Sequence, residues 1–492
     1  MNMNGKQNRH SQMKAKAILT IPLRLDEEFS IASIVGNGVW QEESTKADED
    51  EIRKLGLLSY AHALGKCGAA NESNNIRIYA LKKDPTSMIG DEPNSIDVNG
   101  KSILFTFKKS GETKKPNPFW GDTKIVYSSP SRLVLITLPV YLIGIKERKN
   151  EDSHTDNLSS VNENSGLTEK DYYGAFRFFN DSIGYGKTKN DENKDAMAIS
   201  GGNSINKNLQ TICKELLGSL YAHTTPLYTK SLISFICVQY PTSKDLDETQ
   251  KAEKVKLCAQ KLAWCEDREG FVADPKMTPS LKILANKEHG DVYASSSTFG
   301  TAFVSNYNRY DFSKSNQYFW IYLRLIILKY SLHCLLDDIN MIIGQENLAV
   351  LREKYQKVYR LKAQFFYSEI SDQYDTSRLY HLFYDGLKIK ELNEEVEEKL
   401  KALDEIISIK KDEEEEKARK ESLHNDKKNS NIQIFITALV LVLTITSALN
   451  DFFDILEDSS KMIPGIISLA AVAIVMIIFK DRLKEVFDKK SR

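Results

Sequence analysis

Two apolar segments lie close together near the C-terminus, and charged residues flank both of them. The first covers residues 432–450, IQIFITALVLVLTITSALN, and the second covers residues 463–479, IPGIISLAAVAIVMIIF. A helix of roughly 20 predominantly apolar residues is long enough to cross the hydrocarbon core of a bilayer. The pattern therefore predicts transmembrane helix 1 at 432–450 and transmembrane helix 2 at 463–479, arranged as a hairpin.

Polar residues, with one valine among them, recur along the first segment at helical spacing. On a helix that advances about 100° per residue they fall within about 40° of one line. Hydroxyls in such a stripe bond to their own helix or to a neighbouring helix, or they line a water-filled pore. We predict a pore, formed by several copies of the chain in a ring. The predicted pore-lining residues are Gln433, Thr437, Val440, Thr444, Ser447 and Asp451.

The connection between the two segments, residues 451–462, is acidic. Basic residues flank the outer sides of the hairpin, so the positive-inside rule places both termini in the cytoplasm and this loop outside. A ring of acidic loops would concentrate cations at the entrance of a pore. We therefore predict a negative pore mouth at Asp454, Glu457 and Asp458, and a basic cytoplasmic C-terminus at 480–492.

Up to about residue 300, β-branched and aromatic runs alternate with helical patterns. This alternation predicts an α+β fold in which an α/β cytoplasmic sheet domain at 13–315 follows a disordered N-terminus at 1–12. The longest run, Arg132 to Ile145, is expected to be a central strand, and Glu248 to Glu266 a helix. The other predicted strands are Lys16 to Leu23, NIRIYAL, SILFTF, KIVYSS, GAFRFF and LISFICVQ.

From residue 316 the pattern becomes helical, and we predict a helical subdomain at 316–386. Its first helix is apolar enough to resemble another membrane span, but Arg324, Lys329, His333 and Asp337 recur every four or five residues. That spacing favours a cytoplasmic helix with one wetted face. A second helix is expected from Glu346 to about Tyr367.

No Gly or Pro occurs between Gly386 and Pro464, so residues 387–431 are predicted to be a stalk helix that continues into the first span. Part of it keeps heptad spacing, broken by Lys399, and the rest is charged all round. A solvated helix or a disordered tether is the alternative. The heptad positions are Ile389, Leu392, Val396, Leu403 and Ile406.

Composition narrows the class of protein. The chain has 492 residues and a formal net charge of −1, which indicates no strongly charged partner, and we expect no direct nucleic-acid binding. Its six cysteines show no CxxC spacing, so they are interpreted as reduced thiols. These features fit a cytoplasmic domain of several hundred residues.

The motifs typical of enzymes are incomplete, and we predict no enzyme, no catalytic residues and no required cofactor. DSIGYGKT, residues 181–188, has Asp181 where a phosphate-binding P-loop needs Gly. The pairs His333 with Asp337 and His381 with Asp385 offer two metal ligands each, whereas zinc takes three or four protein ligands. Any metal site is therefore unassigned.

The segment Tyr293 to Phe312 has the composition of a ligand-binding loop. Small hydroxyl residues with a nearby arginine and tyrosines suit hydrogen bonding and stacking with a nucleotide. An ordinary strand–turn connection is the alternative. The predicted ligand-binding residues are Ser296, Ser297, Thr298 and Arg309.

This order of segments resembles the CorA family of pentameric divalent-cation channels. The segment FFYSEISDQYDTSRLYHLFYDGLKIKELNEEVEEKLKALDE is similar to the pre-stalk and stalk of divergent CorA-like proteins. Where the family's Gly-Met-Asn signature closes the first span, this chain has SALNDFFDILED, and only Asn450 is comparable. That departure argues against housekeeping magnesium uptake.

Because its cytoplasmic domain is enlarged, the chain is most similar to the CorA-like membrane effectors associated with type III CRISPR systems. The resemblance implies a homopentameric channel in the bacterial cytoplasmic membrane. It also implies a nucleotide second messenger, a cyclic oligoadenylate or an adenosylmethionine–AMP conjugate, that opens the channel to permeabilise or depolarise an infected cell. The alternatives are a CorA-like Mg²⁺/Co²⁺ transporter, with a divalent cation as ligand, and a non-conducting membrane-tethered sensor.

Overall fold

The computed structural model describes the chain as segments separated by gaps. The chain divides into two compact units, Met1–Asp404 and Glu405–Arg492. The described residues are 15–26, 28–36, 38–43, 76–90, 92–108, 118–129, 131–146, 167–181, 199–200, 206–227, 232–240, 246–266, 270–286, 290–306, 313–343, 356, 371–456, 470 and 473.

The first unit is built around a 14-stranded mixed sheet. The strands are β1 (Ala15–Leu25), β2 (Trp40–Glu43), β3 (Ile76–Leu81), β4 (Asn94–Val98), β5 (Lys101–Thr106), β6 (Lys124–Ser128), β7 (Leu133–Lys146), β8 (Ile199–Ser200), β9 (Asn206–Lys207), β10 (Thr224–Pro226), β11 (Ile233–Gln239), β12 (Ser280–Asn286), β13 (Gly290–Ser297) and β14 (Gly300–Ser305).

The longest strand, β7, is central, as its unbroken apolar run predicts. The main path of the sheet is β12-β13-β14-β11-β1-β7-β5-β4-β8-β9. Along one side β7 pairs with β1, and along the other it pairs first with β6 and then with β5, so β6, β3 and β2 form a branch. The pair β11–β14 is parallel, and the other described pairs are antiparallel. Both faces of β7 are covered, which is why its sequence shows no polar alternation.

The helices are α1 (Ala32–Gly36), α2 (Glu169–Asp181), α3 (Leu209–Leu217), α4 (Glu248–Trp264), α5 (Ser313–Ile343), α6 (Tyr374–Gly386) and α7 (Ile389–Leu456). Within the first unit they pack on the two faces of the sheet. Buried residues of α2, α3 and α4 share one core with residues such as Val134 and Ile136 of β7. The other core joins α5, α6 and the start of α7 to Leu133 and Leu135. Alternate residues of the same strand therefore enter opposite cores.

The predicted strand GAFRFF is wrong, because these residues belong to α2. Tyr172, Phe176 and Phe179 recur at helical spacing and are buried, whereas Arg177 is exposed. Ahead of them, Thr168 donates from its amide and its hydroxyl to the Asp171 carboxylate, at 2.8 and 2.7 Å. These two local hydrogen bonds stabilise the start of a helix and outweigh the β propensity of the aromatic residues.

The predicted wetted face of α5 is also wrong over most of its length. Arg324 and Lys329 are only 8% and 9% exposed, while His333 is half-buried and Asp337 is exposed. Apolar residues occur all round this helix, and they pack in the core that contains α6 and the start of α7. The helix is buried because the sheet and two further helices cover it.

The junction between α6 and α7 sits tightly against the sheet. A Cβ atom added at Gly386 would lie 2.4 Å from the Ser296 side chain and 2.7 Å from the Ser296 carbonyl carbon. Two residues later, Lys388 has a φ of 59°, in the left-handed region. The chain therefore changes direction here, and only a residue without a side chain fits at position 386.

Gly386→Ala is expected to lower the free energy of unfolding by about 1–3 kcal/mol, because the added methyl group must displace the backbone of β13. Gly36→Ala provides a matched control, since no atom lies within 4 Å of a Cβ added there. Denaturant unfolding of both variants measures the difference. Equal stability of the two variants would contradict the tight contact.

Candidate functional site

Helix α7 carries a continuous apolar surface that the rest of the described chain leaves uncovered. It is one helix of 68 residues, about 100 Å long at about 1.5 Å per residue. Between Ile389 and Ile445 it contains an apolar stretch of 18 residues, called the apolar window below, and this stretch is 0% buried. Its exposed large residues are Ile432, Phe435, Ile436, Leu439, Val440 and Leu443. An uncovered apolar surface of this kind indicates lipid or a protein partner.

A second helix, α5, also contains a stretch long and apolar enough to cross a membrane, Tyr318–Met341. Of its apolar window, 94% is buried inside the protein. The core helix of a protein can be as long and as apolar as a membrane span. The support for membrane association therefore comes mainly from α7.

The predicted polar stripe lies on the uncovered part of α7. Gln433, Thr437, Val440, Thr444 and Ser447 are all exposed. The Thr437 hydroxyl donates to the Gln433 carbonyl and the Thr444 hydroxyl to the Val440 carbonyl, both at 2.8 Å. These bonds agree with the alternative to a pore in which the hydroxyls bond to their own helix. Each hydroxyl oxygen can still accept a hydrogen bond, so the pore remains a prediction.

The predicted acidic mouth is described in part. Helix α7 continues to Leu456, so the backbone at Asp451 and Asp454 is helical, whereas the predicted external loop begins at 451. Glu457 and Asp458 lie outside the described residues. The second predicted span, 463–479, also lies outside them apart from Ala470 and Ala473.

Most of the heptad positions at the start of α7 are buried within the chain itself. Ile389, Leu392 and Val396 are buried in the core of the first unit, and Leu403 is also buried. The ammonium of Lys399, which breaks the heptad pattern, donates to the side-chain oxygen of Asn340 on α5 at 3.1 Å. The spacing therefore reflects packing within one chain, because a stripe that faces its own core has nearly the same period as a coiled-coil seam.

The predicted ligand-binding loop is a tight hairpin. Residues 298–299 connect β13 to β14, and Ser297 pairs with Gly300. Ser296 and Ser297 are fully buried. The Ser297 hydroxyl donates to the Ala263 carbonyl at 2.6 Å, and the Ser296 hydroxyl accepts from Thr301 at 3.0 Å.

These hydrogen bonds favour the alternative of an ordinary strand–turn connection. A ligand could bond to the Ser296 or Ser297 hydroxyl only if it displaced that residue from its present hydrogen bonds. The backbone carbonyl of Thr298 is also engaged, because it accepts a hydrogen bond from Lys329. Arg309 lies outside the described residues, so its role stays a prediction.

Lys329 is a buried cation that the sequence pattern alone did not identify. Its ammonium donates to the Thr298 carbonyl at 3.0 Å. Burial lowers the pKa of Lys329 from 10.5 to about 8. The nearest signal in the sequence is its position in the apolar run LIILKYSLHCLL, which indicates burial more strongly than the four-residue spacing of charges indicates exposure.

This pKa shift predicts a pH dependence. Between pH 8 and 10.5 the unfolded state binds more protons at Lys329 than the folded state does. The contribution of this group to the free energy of unfolding therefore increases as pH rises. At about 1.4 kcal/mol per unit, the gain between pH 7.5 and 9.5 is about 2 kcal/mol. Lys329→Met should lack it.

Urea unfolding of both proteins at the two pH values tests this prediction through the difference between them. Burial raises the pKa of Cys213 and Cys237 to about 12, which acts in the opposite sense above pH 9 but cancels in the difference. A difference that is independent of pH would contradict the shift.

The candidate metal ligands predicted from the sequence lie on separate helices. Each His–Asp pair occupies one helix, His333 with Asp337 on α5 and His381 with Asp385 on α6. Among the described residues, no group of three or more His, Cys, Asp or Glu side chains could hold a metal ion. The five described cysteines are free and buried. Apart from Asp181, the P-loop-like segment lies outside the described residues.

Comparison with known proteins leaves the family undecided. No family model, no curated protein and no solved structure matches this chain. The resemblance to CorA-like channels therefore rests on the order of segments and on the quoted stalk sequence.

Proposed function

We propose that this chain is a ligand-gated membrane channel that assembles as a ring, a pentamer by its resemblance to the CorA family. The observation that carries the proposal is the exposed apolar window of α7, with polar residues along one side. Apolar surface of this extent requires lipid or a partner, and a stripe of hydroxyls within it suits water. Because one hairpin cannot enclose a pore, the stripe also supports a ring of copies.

The oligomer is tested by mass measurement of the full-length protein in mild detergent. We expect a multimer, of five copies if the family resemblance holds. The heptad residues that are buried in their own chain do not support a coiled-coil stalk. We therefore expect the multimer to form through the segment that contains the polar stripe. A monomer over the whole concentration range would contradict the channel.

In this proposal the first unit is a sensor. Helix α7 begins at Ile389, inside the core of that unit, and continues without a break to Leu456. A continuous helix can carry a rigid-body movement from one end to the other. Binding of a ligand must favour the open state by about 5.5 kcal/mol to change a 1:99 equilibrium to 99:1.

The proposed ligand is an adenine nucleotide second messenger, and the proposed outcome is permeabilisation or depolarisation of the membrane during antiviral defence. Both rest on the resemblance to effectors associated with type III CRISPR systems. A CorA-like Mg²⁺/Co²⁺ transporter is the second candidate, favoured by the same order of segments. A non-conducting tethered sensor is the third, because an exposed apolar helix is also sufficient for an anchor.

Flux from liposomes that contain the full-length protein separates these candidates. Cyclic oligoadenylates, the adenosylmethionine–AMP conjugate, Mg²⁺ and Co²⁺ are added singly, and thermal shift reports binding in parallel. We expect a nucleotide to raise the Tm and to open the flux pathway. Flux gated by Mg²⁺ or Co²⁺ alone would favour the transporter, and binding without flux would favour the tether.

The acidic mouth gives a separate prediction. Replacing Asp451, Asp454, Glu457 and Asp458 by Asn or Gln should lower cation conductance most at low ionic strength, where charges are poorly screened. Conductance at about 0.01 M and about 1 M salt is compared in planar bilayers. If the low-salt conductance of this variant equals that of the wild type, the loop lies away from the path of the ions.

A further inference from the structure

Positive and negative charges are separated along the part of α7 that precedes the apolar window. Residues 412–416 are five consecutive acidic residues, whereas residues 417–428 contain five Lys or Arg and two acidic residues, a net charge of +3. At about 1.5 Å per residue, the acidic block ends about 24 Å before Ile432, where the exposed apolar residues begin. Lys427 and Lys428 lie only about 6–8 Å before it. The positive charge is therefore nearest to the proposed membrane surface.

Most of the basic side chains in residues 417–428 share one side of the helix. With Gln433 as zero and about 100° per residue, they fall between about 120° and 220°. Of the two acidic residues in this segment, Asp426 falls at about 20°, and Glu421 falls at about 240°, at the margin of the basic side. The set that shares this side, called the basic stripe below, consists of Lys417, Lys420, His424, Lys427 and Lys428.

The basic stripe lies on the side of α7 opposite the polar stripe, which stays within about 40° of Gln433. Apolar residues further along the helix, such as Phe435, Ala438 and Ile445, occupy the same side as the basic stripe. In the proposed ring the polar stripe faces the pore, so the opposite side of the helix faces lipid. The basic stripe therefore extends the lipid-facing side of α7 to the level of the lipid headgroups.

The ammonium groups of the basic stripe are available to a partner. Residues 411–433 are all exposed. Within the part of the chain that the structure describes, Lys417, Lys427 and Lys428 form no ion pair. Lys420 pairs with Glu416 at 2.6 Å, but both side chains are largely exposed, and such a pair contributes little to stability. An anion that meets this side of the helix therefore displaces no strong interaction.

We propose that the basic stripe binds the headgroups of anionic phospholipids in the leaflet that the start of the apolar window enters. A Lys or Arg near an anionic membrane surface raises the affinity about fivefold, and the attraction decays over about 8–10 Å. Lys427 and Lys428 should contribute most, while Lys417 and Lys420, about 18–23 Å before Ile432, should contribute least. The inference rests on the proposed membrane span, because lipid is available only to a helix that enters the bilayer.

Native mass spectrometry of the full-length protein in mild detergent tests the proposal, because it resolves each bound lipid and gives a Kd for it. We expect phosphatidylglycerol to bind at least tenfold more tightly than phosphatidylcholine. Lys427→Gln with Lys428→Gln should reduce this ratio at least fivefold. Lys410→Gln with Lys411→Gln is the matched control, since it removes two lysines of the same helix more than about 30 Å before Ile432. The control should change the ratio less than twofold.

Three further measurements identify the chemistry that is recognised. Lys427→Arg with Lys428→Arg keeps both charges and should keep the ratio within twofold of the wild type. Raising the salt concentration from about 0.05 M to about 0.5 M should lower the ratio of the wild type, because salt screens the charges. Glycerol phosphate, a soluble phosphate monoester without acyl chains, should not displace phosphatidylglycerol at a tenfold excess.

Three results would overturn the proposal: equal affinity of the wild type for the two lipids, equal loss of the ratio in the two lysine-to-glutamine variants, or displacement of the lipid by glycerol phosphate. Alkaline extraction of membranes that contain the wild-type protein separates this failure from that of the proposed function. A protein that stays in the pellet but binds both lipids equally contradicts only the lipid site. Release into the supernatant contradicts the membrane span, and the lipid site with it.

Discussion

Replacing Leu439 and Leu443 by Arg is expected to shift the full-length protein from the membrane fraction to the soluble fraction. The two side chains are 50% and 61% exposed in the middle of the apolar window. An arginine at the centre of a membrane-spanning helix costs about 2.5–3.5 kcal/mol, so two of them should cost about 5–7 kcal/mol. Alkaline extraction of membranes, followed by quantification of the protein in pellet and supernatant, measures the change.

Ile409→Arg with Leu423→Arg provides the matched control. These residues are 58% and 52% exposed on the same helix, but they lie in its charged part. The control protein should remain in the pellet, because arginine on a solvated helix costs little. Equal extraction of the two double variants, or full retention of the first, would contradict a lipid-embedded segment at 432–450.

Replacing Thr437, Thr444 and Ser447 by Leu is expected to lower single-channel conductance at least tenfold without releasing the protein from the membrane. Removing the hydroxyls makes the stripe apolar, and an apolar constriction excludes water. The loss of helix stability should be small. The Gln433 and Val440 carbonyls that accept from Thr437 and Thr444 lie on a regular helix and keep their backbone partners.

Thr446→Leu is the control for this variant, because position 446 lies about 220° round the helix from position 433, away from the stripe. Planar-bilayer recording of both variants, at matched protein density, provides the comparison. A conductance that falls equally in both would show that hydroxyls matter through packing and not through a pore. Unchanged conductance in the triple variant would remove the pore from this face of the helix.

The main elements of the fold follow from local patterns. β1 and β7 cover the predicted strands within one or two residues at each end. Long runs of β-branched residues have few alternatives to strand structure. The absence of Gly and Pro between Gly386 and Pro464 predicts the unbroken α7. These outcomes depend on residues next to one another in the chain.

The two errors have different origins, one in local hydrogen bonds and one in burial. The aromatic residues between Tyr172 and Phe179 have strand propensity, but they lie in a helix whose start is stabilised by two hydrogen bonds that Thr168 donates to the Asp171 carboxylate. The charges of α5 follow an amphipathic spacing, yet Lys329 is buried against the Thr298 carbonyl. Spacing cannot distinguish a face that meets water from a face that meets a partner distant in sequence.

The candidate membrane segment could be predicted because hydropathy over about 20 residues is a local property. The grouping of Lys82, Lys108 and Thr123 could not, since these residues meet only because β3 and β5 end where β6 begins.

The sequence by itself determined where the longest strands and helices form and which segment is apolar enough for lipid, because backbone propensity and hydropathy act over a few residues. Tertiary structure alone decided that α5 is a core helix and that Ile389, Leu392 and Val396 face their own sheet domain. It also decided that the Ser297 hydroxyl donates to the Ala263 carbonyl and that the Ser296 hydroxyl accepts from Thr301. These outcomes depend on which surfaces meet, and the surfaces that meet come from residues far apart in the chain.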